Sequence, residues 1–205
     1  RKYTMPIQTD LDLNVSNQNH EAQSRRRLLK AGLGACAMLA LSMAAPAVSA
    51  NINRRPFEKK ISLLNLHTGE RVHSVFWANG RYVPDSLHSI YKVLRDHRTG
   101  DRVPIDLDLL DTLYILQRKL QTKQEFHVIS AYRSLQTNQK LAAQSDGVAK
   151  SSLHTLGKAI DIRLPGHRLN NVHKAALGLQ MGGVGYYPGS NFVHIDTGRV
   201  RFWQG

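Results

Sequence analysis

The segment from about residue 107 to residue 120 restricts the fold of this chain more than any other part of the sequence. Leucines recur in it at the spacing of one helix face: Leu109, Leu110, Leu113, Leu116 and Leu120. This period predicts an amphipathic helix with a wide apolar stripe. Such a stripe is stable only when a second layer of structure covers it, so the rest of the chain has to supply that layer.

Short apolar runs bounded by turn residues predict that the second layer is a sheet. They occupy residues 61–66, 72–77, 126–130, 159–164, 182–187 and 192–197, with turns at Asn79-Gly80 and Pro188-Gly189-Ser190. Further helices are predicted over 84–94 with Pro84-Asp85-Ser86 as cap, over about 137–144, and up to 178 with Asn170 or Asn171 as cap. We therefore predict an α+β fold with a small, mostly antiparallel sheet flanked by helices.

The first 50 residues have the layout of an export signal. Arg25-Arg26-Arg27-Leu28-Leu29-Lys30 has the twin-arginine pattern, an apolar run follows over about 31–45, and Val48-Ser49-Ala50 is a small-residue cleavage site. A transmembrane anchor is the alternative, but the run is short for a span and ends at Pro46. Lipidation at Cys36 fits poorly, because the apolar run continues well past that residue.

These features predict a twin-arginine signal peptide with a long polar n-region over residues 1–50, a flexible lead-in over 51–59, and a single domain over 60–205. We expect export to the periplasm by the twin-arginine or the general secretory route, and no transmembrane anchor in the mature form. The one cysteine leaves with the signal peptide. Disulfides, thiolate nucleophiles and cysteine-ligated zinc are therefore excluded from the predicted mature domain.

The predicted mature domain is strongly basic. The chain has 28 Lys and Arg residues, of which six lie in the first 50 residues, and 15 Asp and Glu residues, of which three lie there. The predicted mature domain therefore keeps 22 basic and 12 acidic residues, a net charge of +10. A basic exported domain is attracted to polyanions such as cell-wall polymers and anionic lipid surfaces, although general solubility explains the charge equally well. Export makes nucleic acid a poor match, and we expect no nucleic-acid partner.

Residues 151–163 carry the pattern with the clearest chemistry. His154 and Asp161 offer an imidazole nitrogen and a carboxylate oxygen, two ligand types that suit zinc, and His194 offers a third ligand downstream. Two histidines and one carboxylate leave a fourth zinc position open for water, which is typical of a catalytic site.

The predicted strands place these side chains on faces away from the core. Asp161 lies between Ile160 and Ile162, so its carboxylate points opposite to the two isoleucines. By the same alternation His194 and Asp196 project together from another strand. The spacing by itself is a weak signal, because surface polar residues and one buried, hydrogen-bonded histidine produce the same pattern.

Longer motifs resemble those of the zinc D,D-peptidase superfamily, which includes D-Ala-D-Ala carboxypeptidases and dipeptidases, phage endolysin peptidases and the hedgehog signalling domain. The resemblance is carried by Ser152-x-His154-x-x-Gly157-x-Ala159-x-Asp161, by the Val-His strand at His194 and by Ile129-Ser130-Ala131-Tyr132-Arg133-Ser134. Four further segments resemble one subgroup of this superfamily, murein endopeptidase K: residues 65–70, 94–98, 147–150 and 182–188. It covers about residues 60–203.

The resemblance implies a fold of the hedgehog and D,D-peptidase type and one zinc ion per domain, held by His154, Asp161 and His194. It also implies that Arg133 faces the substrate, where its charged fork stabilises the oxyanion or grips a peptide carboxylate; an ordinary ion pair is the alternative.

Three further residues are implied as substrate contacts: Ser152, Tyr186 and Tyr187. Holding the loop before the first ligand is the alternative role for Ser152, and core packing is the alternative for each tyrosine.

The sequence departs from the superfamily pattern at the general base. Many members carry glutamate three residues before the last zinc histidine, and others carry histidine two residues before it. Here these positions are Asn191 and Phe192. Asp196 is the candidate on the same strand face as His194, either as the catalytic base or as a partner that orients the ligand histidine.

The resemblance favours an exported zinc metallopeptidase that hydrolyses the peptide cross-links of peptidoglycan in cell-wall growth or remodelling. A D-Ala-D-Ala carboxypeptidase or dipeptidase on the same zinc site is a second hypothesis. A non-catalytic wall-binding domain that keeps zinc for structure is a third. We expect the partner to be the peptide stems of peptidoglycan and the protein to be a monomer.

Overall fold

The computed structural model of the chain describes residues 57–145 and 147–205. The predicted signal peptide and residues 51–56 of the predicted lead-in lie outside the described residues. Among the helices of the described part, none has the length and apolar character that crossing a bilayer requires.

Twelve helices and strands follow one another along the described chain. They are β1 (Glu58–Asn65), β2 (Arg71–Ala78), β3 (Arg81–Tyr82), α1 (Pro84–Val93), α2 (Leu107–Lys119), β4 (Phe126–Ser130), α3 (Leu135–Gln144), β5 (Ala159–Arg163), α4 (Leu169–Leu177), β6 (Gly183–Tyr187), β7 (Phe192–Asp196) and β8 (Arg201–Gln204). A short 3-10 helix, Leu153–Leu156, precedes β5.

The described strands form one eight-stranded sheet in the order β3-β2-β1-β4-β5-β7-β6-β8. Five of its pairings are antiparallel. The pairings of β1 with β4 and of β6 with β8 are parallel. This confirms the predicted α+β class and the mostly antiparallel sheet.

The core lies where α1, α2 and α4 contact the sheet. The leucine stripe of α2 faces it, since Leu109, Leu110, Leu113 and Leu116 are all fully buried. In β5 the side chains of Ile160 and Ile162 are also fully buried. The alternation of a strand then turns Asp161 to the opposite face, which is where the candidate site lies.

The helix caps differ from the sequence prediction. Val83 is the N-cap of α1, with Pro84 at the first helical position, so Asp85 lies inside the helix and does not cap it. A proline there presets the helical φ angle and needs no side-chain cap. Arg168 is the N-cap of α4, so the expected caps Asn170 and Asn171 also lie within a helix.

Two strands were not predicted, and the last two residues of the predicted lead-in belong to a strand. Asn79 and Gly80 have φ angles of 52° and 79° and form a turn that returns the chain into β3. β8 at the other edge was missed because it is short and contains Arg201 and Gln204. The predicted lead-in over 51–59 overlaps β1, which begins at Glu58.

Candidate metal centre

Three strands align the site in one row across the sheet. The register places Ser130 of β4 beside Asp161 of β5, and Asp161 beside His194 of β7. His154 reaches the same place from the 3-10 helix that precedes β5. Ligand atoms of His154, Asp161 and His194 all lie within 4.8 Å of one another. The structure therefore brings together the three residues that the sequence singled out.

The donor atoms face one another closely. His154 Nε2 lies 3.2 Å from His194 Nδ1. His194 Nδ1 lies 2.9 Å from Asp161 Oδ1, and His154 Nε2 lies 3.4 Å from Asp161 Oδ2. His154 and Asp161 are buried, with 2% and 3% of their surface exposed.

The outer nitrogen of each imidazole has an acceptor of its own. His154 Nδ1 lies 2.6 Å from the carbonyl oxygen of Ala131, and because that oxygen can only accept, Nδ1 donates. His194 Nε2 lies 3.0 Å from Asp196 Oδ2. Protons on both outer nitrogens leave lone pairs on the inner nitrogens, directed at each other and at Asp161. Three acceptors that face one another fit a cation between them, and this donor set suits a metal ion.

Burial and neighbouring charges set the ionisation of the cluster. Burial lowers the pKa of His154, which favours the neutral imidazole. Burial opposes ionisation of Asp161, but the two neighbouring imidazoles hold its pKa well below the usual range. Burial by itself would lower the pKa of His194, but hydrogen bonds to Asp161 and Asp196 have the larger effect, so the pKa is raised. A neutral imidazole and an ionised carboxylate are the forms that bind metal ions, so His154 and Asp161 are in the binding form, and His194 must release a proton from Nδ1 when a metal ion binds.

Arg133 is attached to the same cluster. Its Nη2 donates to Asp161 Oδ2 at 2.8 Å, and its Nε donates to the Ser130 hydroxyl at 2.8 Å. Its backbone N–H donates to the carbonyl oxygen of His154 at 3.2 Å. Arg133 also lines the cleft above the cluster, so the same side chain contacts the candidate ligand Asp161 and faces the space where a substrate would bind.

Asp196, the candidate base, has both oxygens occupied. Oδ1 accepts from the backbone N–H groups of Gly183 and Gly198 and from Arg201 Nη1, at 3.1, 2.8 and 2.9 Å. Oδ2 accepts from Arg201 Nη2 at 2.7 Å and from His194 Nε2 at 3.0 Å. The residue is 1% exposed. This geometry supports the orienting role for Asp196 more than the role of base.

The cluster lies in an open cleft of about 540 Å³. One wall is the loop 147–153, which includes Ser152, and the other wall carries Tyr187, Phe192 and Trp203. The rings of Tyr187 and Phe192 stack with centroids 4.5 Å apart, and Trp203 Nε1 donates to the Tyr187 hydroxyl at 2.8 Å. A cleft of this size with aromatic and polar walls is suited to a peptide or another small ligand.

Of the predicted substrate contacts, Ser152 and Tyr187 line the cleft and Tyr186 does not. The Ser152 side chain accepts from the backbone N–H of His154 at 3.4 Å, so it caps the 3-10 helix as well as lining the cleft. Tyr186 is on the other face of β6, where its ring stacks on His173 with centroids 4.6 Å apart. Tyr186 does not line the cleft, because neighbouring residues of a strand point to opposite faces.

Sequence reasoning missed Arg201 and Trp203, which line the cleft from β8. Gly185 is paired with both His194 and Trp203, and a Cβ on Gly185 would lie 2.6 Å from the indole. The glycine therefore leaves room for the two rings to approach across β6, with centroids 5.2 Å apart. Gly183 and Gly185 alternate along β6, and this pattern in the sequence could have indicated that side chains from neighbouring strands meet over it.

Asp96 is a third residue whose role was missed, although it lies in the motif at 94–98, and it anchors the segment that follows β4. Its Oδ2 accepts from the backbone N–H and the hydroxyl of Ser134, at 2.9 and 2.8 Å. The backbone N–H of Tyr132 also donates to the carbonyl oxygen of Leu94, at 3.1 Å. These bonds fix the loop that presents Arg133 to the site, although Asp96 itself is buried away from the cleft.

Replacing Asp96 with asparagine tests this anchor through the free energy of unfolding. Burial alone would raise the pKa of the carboxyl, but hydrogen bonds from Thr137, Arg98 and Ser134 hold the pKa at about 2. A depressed pKa stabilises the fold above the ordinary value of about 3.9, and the stabilisation is lost as the pH falls towards the folded value. We expect Asp96→Asn to lower the free energy of unfolding by about 1–3 kcal/mol at neutral pH.

Denaturant unfolding at several pH values measures this effect. We expect the gap between wild type and Asp96→Asn to narrow between about pH 4 and pH 2, because the wild-type carboxyl becomes protonated there. A gap that stays constant across this range would show that the charge of Asp96 does not stabilise the fold.

A His-Asp-His cluster at the floor of an open cleft, carried by the sheet of an α+β domain, is the kind of site that metal-dependent hydrolases use. The family model described as "Peptidoglycan L,D-endopeptidase MepK" matches residues 54–203. The chain belongs to this family, which confirms the resemblance seen in the sequence motifs.

Two relatives align with most of this chain and with nearly the whole of their own length. The "Peptidoglycan L,D-endopeptidase MepK" of Escherichia coli (strain K12) is 44% identical over 180 residues, which are 88% of this chain and 97% of that protein. The "Probable peptidoglycan L,D-endopeptidase MepK" of Haemophilus influenzae is 39% identical over 188 residues, which are 91% of this chain and 99% of that protein.

Proposed function

We propose that this chain is a zinc-dependent peptidoglycan endopeptidase that hydrolyses L,D cross-links between peptide stems. The observation that supports this most is the convergence of His154, Asp161 and His194 at the floor of the cleft, in a chain whose relatives are named L,D-endopeptidases. Peptidoglycan as substrate implies a location at the cell wall or in the periplasm. Export by way of residues 1–50 and a monomeric state belong to the same proposal.

One zinc ion would be held by His154 Nε2, His194 Nδ1 and the Asp161 carboxylate. When bound, zinc polarises a carbonyl and lowers the pKa of water to about 7. The protein keeps the ligands in place from outside, through the carbonyl of Ala131 behind His154 and the carboxylate of Asp196 behind His194. Such partners fix the tautomer and orientation of ligand histidines.

Arg133 acts at the boundary between the ligands and the substrate. Two of its five guanidinium N–H donors bind Ser130 and Asp161, and the others serve a substrate oxygen as negative charge develops on it. Because the pairs to Ser130 and Asp161 fix the plane of the guanidinium, these donors are aimed before substrate arrives. Ser152 contributes by holding the helix that carries His154.

We propose no side chain of the described cleft as the general base. Asp161 and Asp196 are the only side-chain carboxylates among the described residues that line it. Asp161 is a proposed zinc ligand that also accepts from Arg133, and hydrogen bonds occupy both oxygens of Asp196. The amide of Asn191 cannot accept a proton from water. Asp196 is therefore proposed to orient His194, and a bound zinc ion would supply the acidity that lets a water molecule lose its proton without a dedicated base.

Tyr187 supplies a hydrogen bond to the substrate. The indole N–H of Trp203 can only donate, so the Tyr187 oxygen accepts and its own proton remains for another acceptor. Among the described residues the Tyr187 hydroxyl donates no hydrogen bond, which leaves that proton to the cleft. We expect Tyr187→Phe to lower kcat/KM for a cross-linked dimer by about 3- to 10-fold, with zinc content unchanged.

Tyr186→Phe is the matched control for this prediction. It removes the same hydroxyl from the neighbouring residue, which stacks on His173 on the other face of the sheet. Its kcat/KM should equal that of wild type. Equal losses in the two variants, or no loss in Tyr187→Phe, would remove Tyr187 from the substrate site.

Product analysis by mass spectrometry on defined muropeptides tests the proposed function. The purified protein is incubated with an L,D-cross-linked dimer, a D,D-cross-linked dimer and a monomeric pentapeptide ending in D-Ala-D-Ala. We expect the L,D dimer to be converted to monomers. Release of D-Ala from the pentapeptide as the main reaction would instead support the carboxypeptidase hypothesis. Binding to cell wall without any product would support the non-catalytic domain.

A further inference from the structure

Arg201 of β8 makes a two-point contact with Asp196. Nη1 lies 2.9 Å from Oδ1, and Nη2 lies 2.7 Å from Oδ2. A bidentate pair of this kind is stronger and more directional than a single ion pair, because both planar groups are fixed relative to each other. Asp196 is buried and Arg201 is half-buried, so water screens the pair only weakly.

A glycine in β6 leaves the space that this pair occupies. Arg201 is paired with Gly183 of β6, whose missing side chain leaves room for the guanidinium to reach Asp196 from the far side of the strand. A Cβ on Gly183 would lie 2.5 Å from Asp196 Oδ2. The backbone N–H of Gly183 donates to the same carboxylate at 3.1 Å, so the glycine both opens the space and binds the group that fills it.

Trp203 covers the pair and the neighbouring ligand. The guanidinium carbon of Arg201 lies 4.9 Å from the centre of the Trp203 ring, within the range of a cation–π contact. The same indole lies beside the His194 ring, at 5.2 Å between centroids. Two side chains from one face of β8 thus hold Asp196 and His194 from outside the metal cluster.

We propose that Arg201 is a positioning residue of the metal centre. Its guanidinium fixes the Asp196 carboxylate, and Asp196 fixes the His194 ring by accepting from Nε2, so that Nδ1 faces His154 and Asp161. The inference deepens the proposed function, because it assigns the residue that holds one ligand of the proposed zinc site. The alternative is a purely structural pair that ties β8 to β7.

Zinc affinity in the absence of substrate separates these two roles. Arg201→Met removes the fork and keeps the aliphatic bulk. Competition with a zinc chelator should show an affinity about 10- to 100-fold weaker than wild type. Arg201→Lys should restore part of the affinity, because an ammonium keeps the charge but contacts one oxygen at a time. Cobalt(II) in place of zinc should give a shifted absorption spectrum in Arg201→Met, which reports a changed ligand geometry.

Arg199→Met is the matched control, because it removes the same charge from an exposed residue two positions earlier. It should bind zinc within about twofold of wild type. The double variant Arg201→Met/Asp196→Asn should bind zinc no more weakly than Asp196→Asn alone, since Arg201 acts through Asp196. If Arg201→Met does not fold, the comparison of Arg201→Lys with wild type decides the question by the same two readouts.

Wild-type zinc affinity and cobalt spectrum in the folded Arg201 variants would overturn the inference, as would an equal loss in Arg199→Met. Fully additive losses in the double variant would also overturn it. Failure of the proposed function looks different: the wild type would bind zinc and Arg201→Met would bind it weakly, yet no muropeptide would be cut. A wild type that binds no zinc would refute both.

Discussion

Replacing His154 with alanine is expected to abolish hydrolysis of cross-linked muropeptides while the fold is retained. His154 supplies Nε2 to the cluster, and its loss leaves only Asp161 and His194 to hold the metal. A Lewis acid contributes several kcal/mol to the transition state, so we expect kcat/KM to fall by about 10³-fold or more. Zinc content measured on the same sample should fall with activity.

His173→Ala controls for the removal of a partly buried histidine elsewhere. That ring stacks on Tyr186 on the face opposite the cleft, so kcat/KM and zinc content should stay close to wild type. Circular dichroism of both variants checks the fold. A His154→Ala protein that keeps wild-type zinc content and activity would place the metal elsewhere.

Replacing Arg133 with methionine has the second largest expected effect. Arg133 binds Asp161 and Ser130 and also lines the cleft, so the change removes a partner of a ligand and donors for the oxyanion together. We expect kcat/KM to fall by about 10²- to 10³-fold, the usual loss for a donor that stabilises developing charge. Arg133→Lys should recover little, because a single ammonium cannot serve Asp161, Ser130 and the substrate at once.

Kinetics at saturating zinc distinguish the two parts of this effect. If Arg133 only holds Asp161, added zinc should restore kcat in Arg133→Met. If Arg133 also stabilises the oxyanion, kcat should stay low with the site fully loaded, and this is the result we expect. Arg168→Met, at an exposed position before α4, is the control for lost charge and should leave kcat/KM unchanged.

The elements with a clear period could be predicted from the sequence. The leucine stripe of α2 and the alternation around Asp161 in β5 depend on local spacing, and both were found. β8 could not be found in this way, because its four residues become a strand only by pairing with β6, from which a turn and β7 separate it. The predicted N-caps of α1 and α4 were wrong because neither helix has a side-chain cap, and the sequence signal for a cap is a capping side chain.

The candidate ligands were accessible to sequence reasoning, and most of their supporting groups were not. The partners of His154 and Asp196 are the Ala131 carbonyl and Arg201, which tertiary structure brings together from distant parts of the chain. Strand alternation does predict that Tyr186 and Tyr187 point to opposite faces. It cannot tell which tyrosine faces the cleft, because that depends on the register between β6 and β7.

Hydrolysis measured against zinc occupancy tests the proposed metal centre most directly. The protein is stripped with a chelator, zinc is added back in steps, and bound zinc is measured together with cleavage of an L,D-cross-linked dimer. We expect the stripped protein to be inactive and activity to rise in proportion to zinc until one ion is bound per chain, with His154→Ala remaining inactive throughout. Full cleavage by the zinc-free protein, or stoichiometric zinc binding without cleavage of any dimer, would contradict a catalytic zinc site at His154, Asp161 and His194.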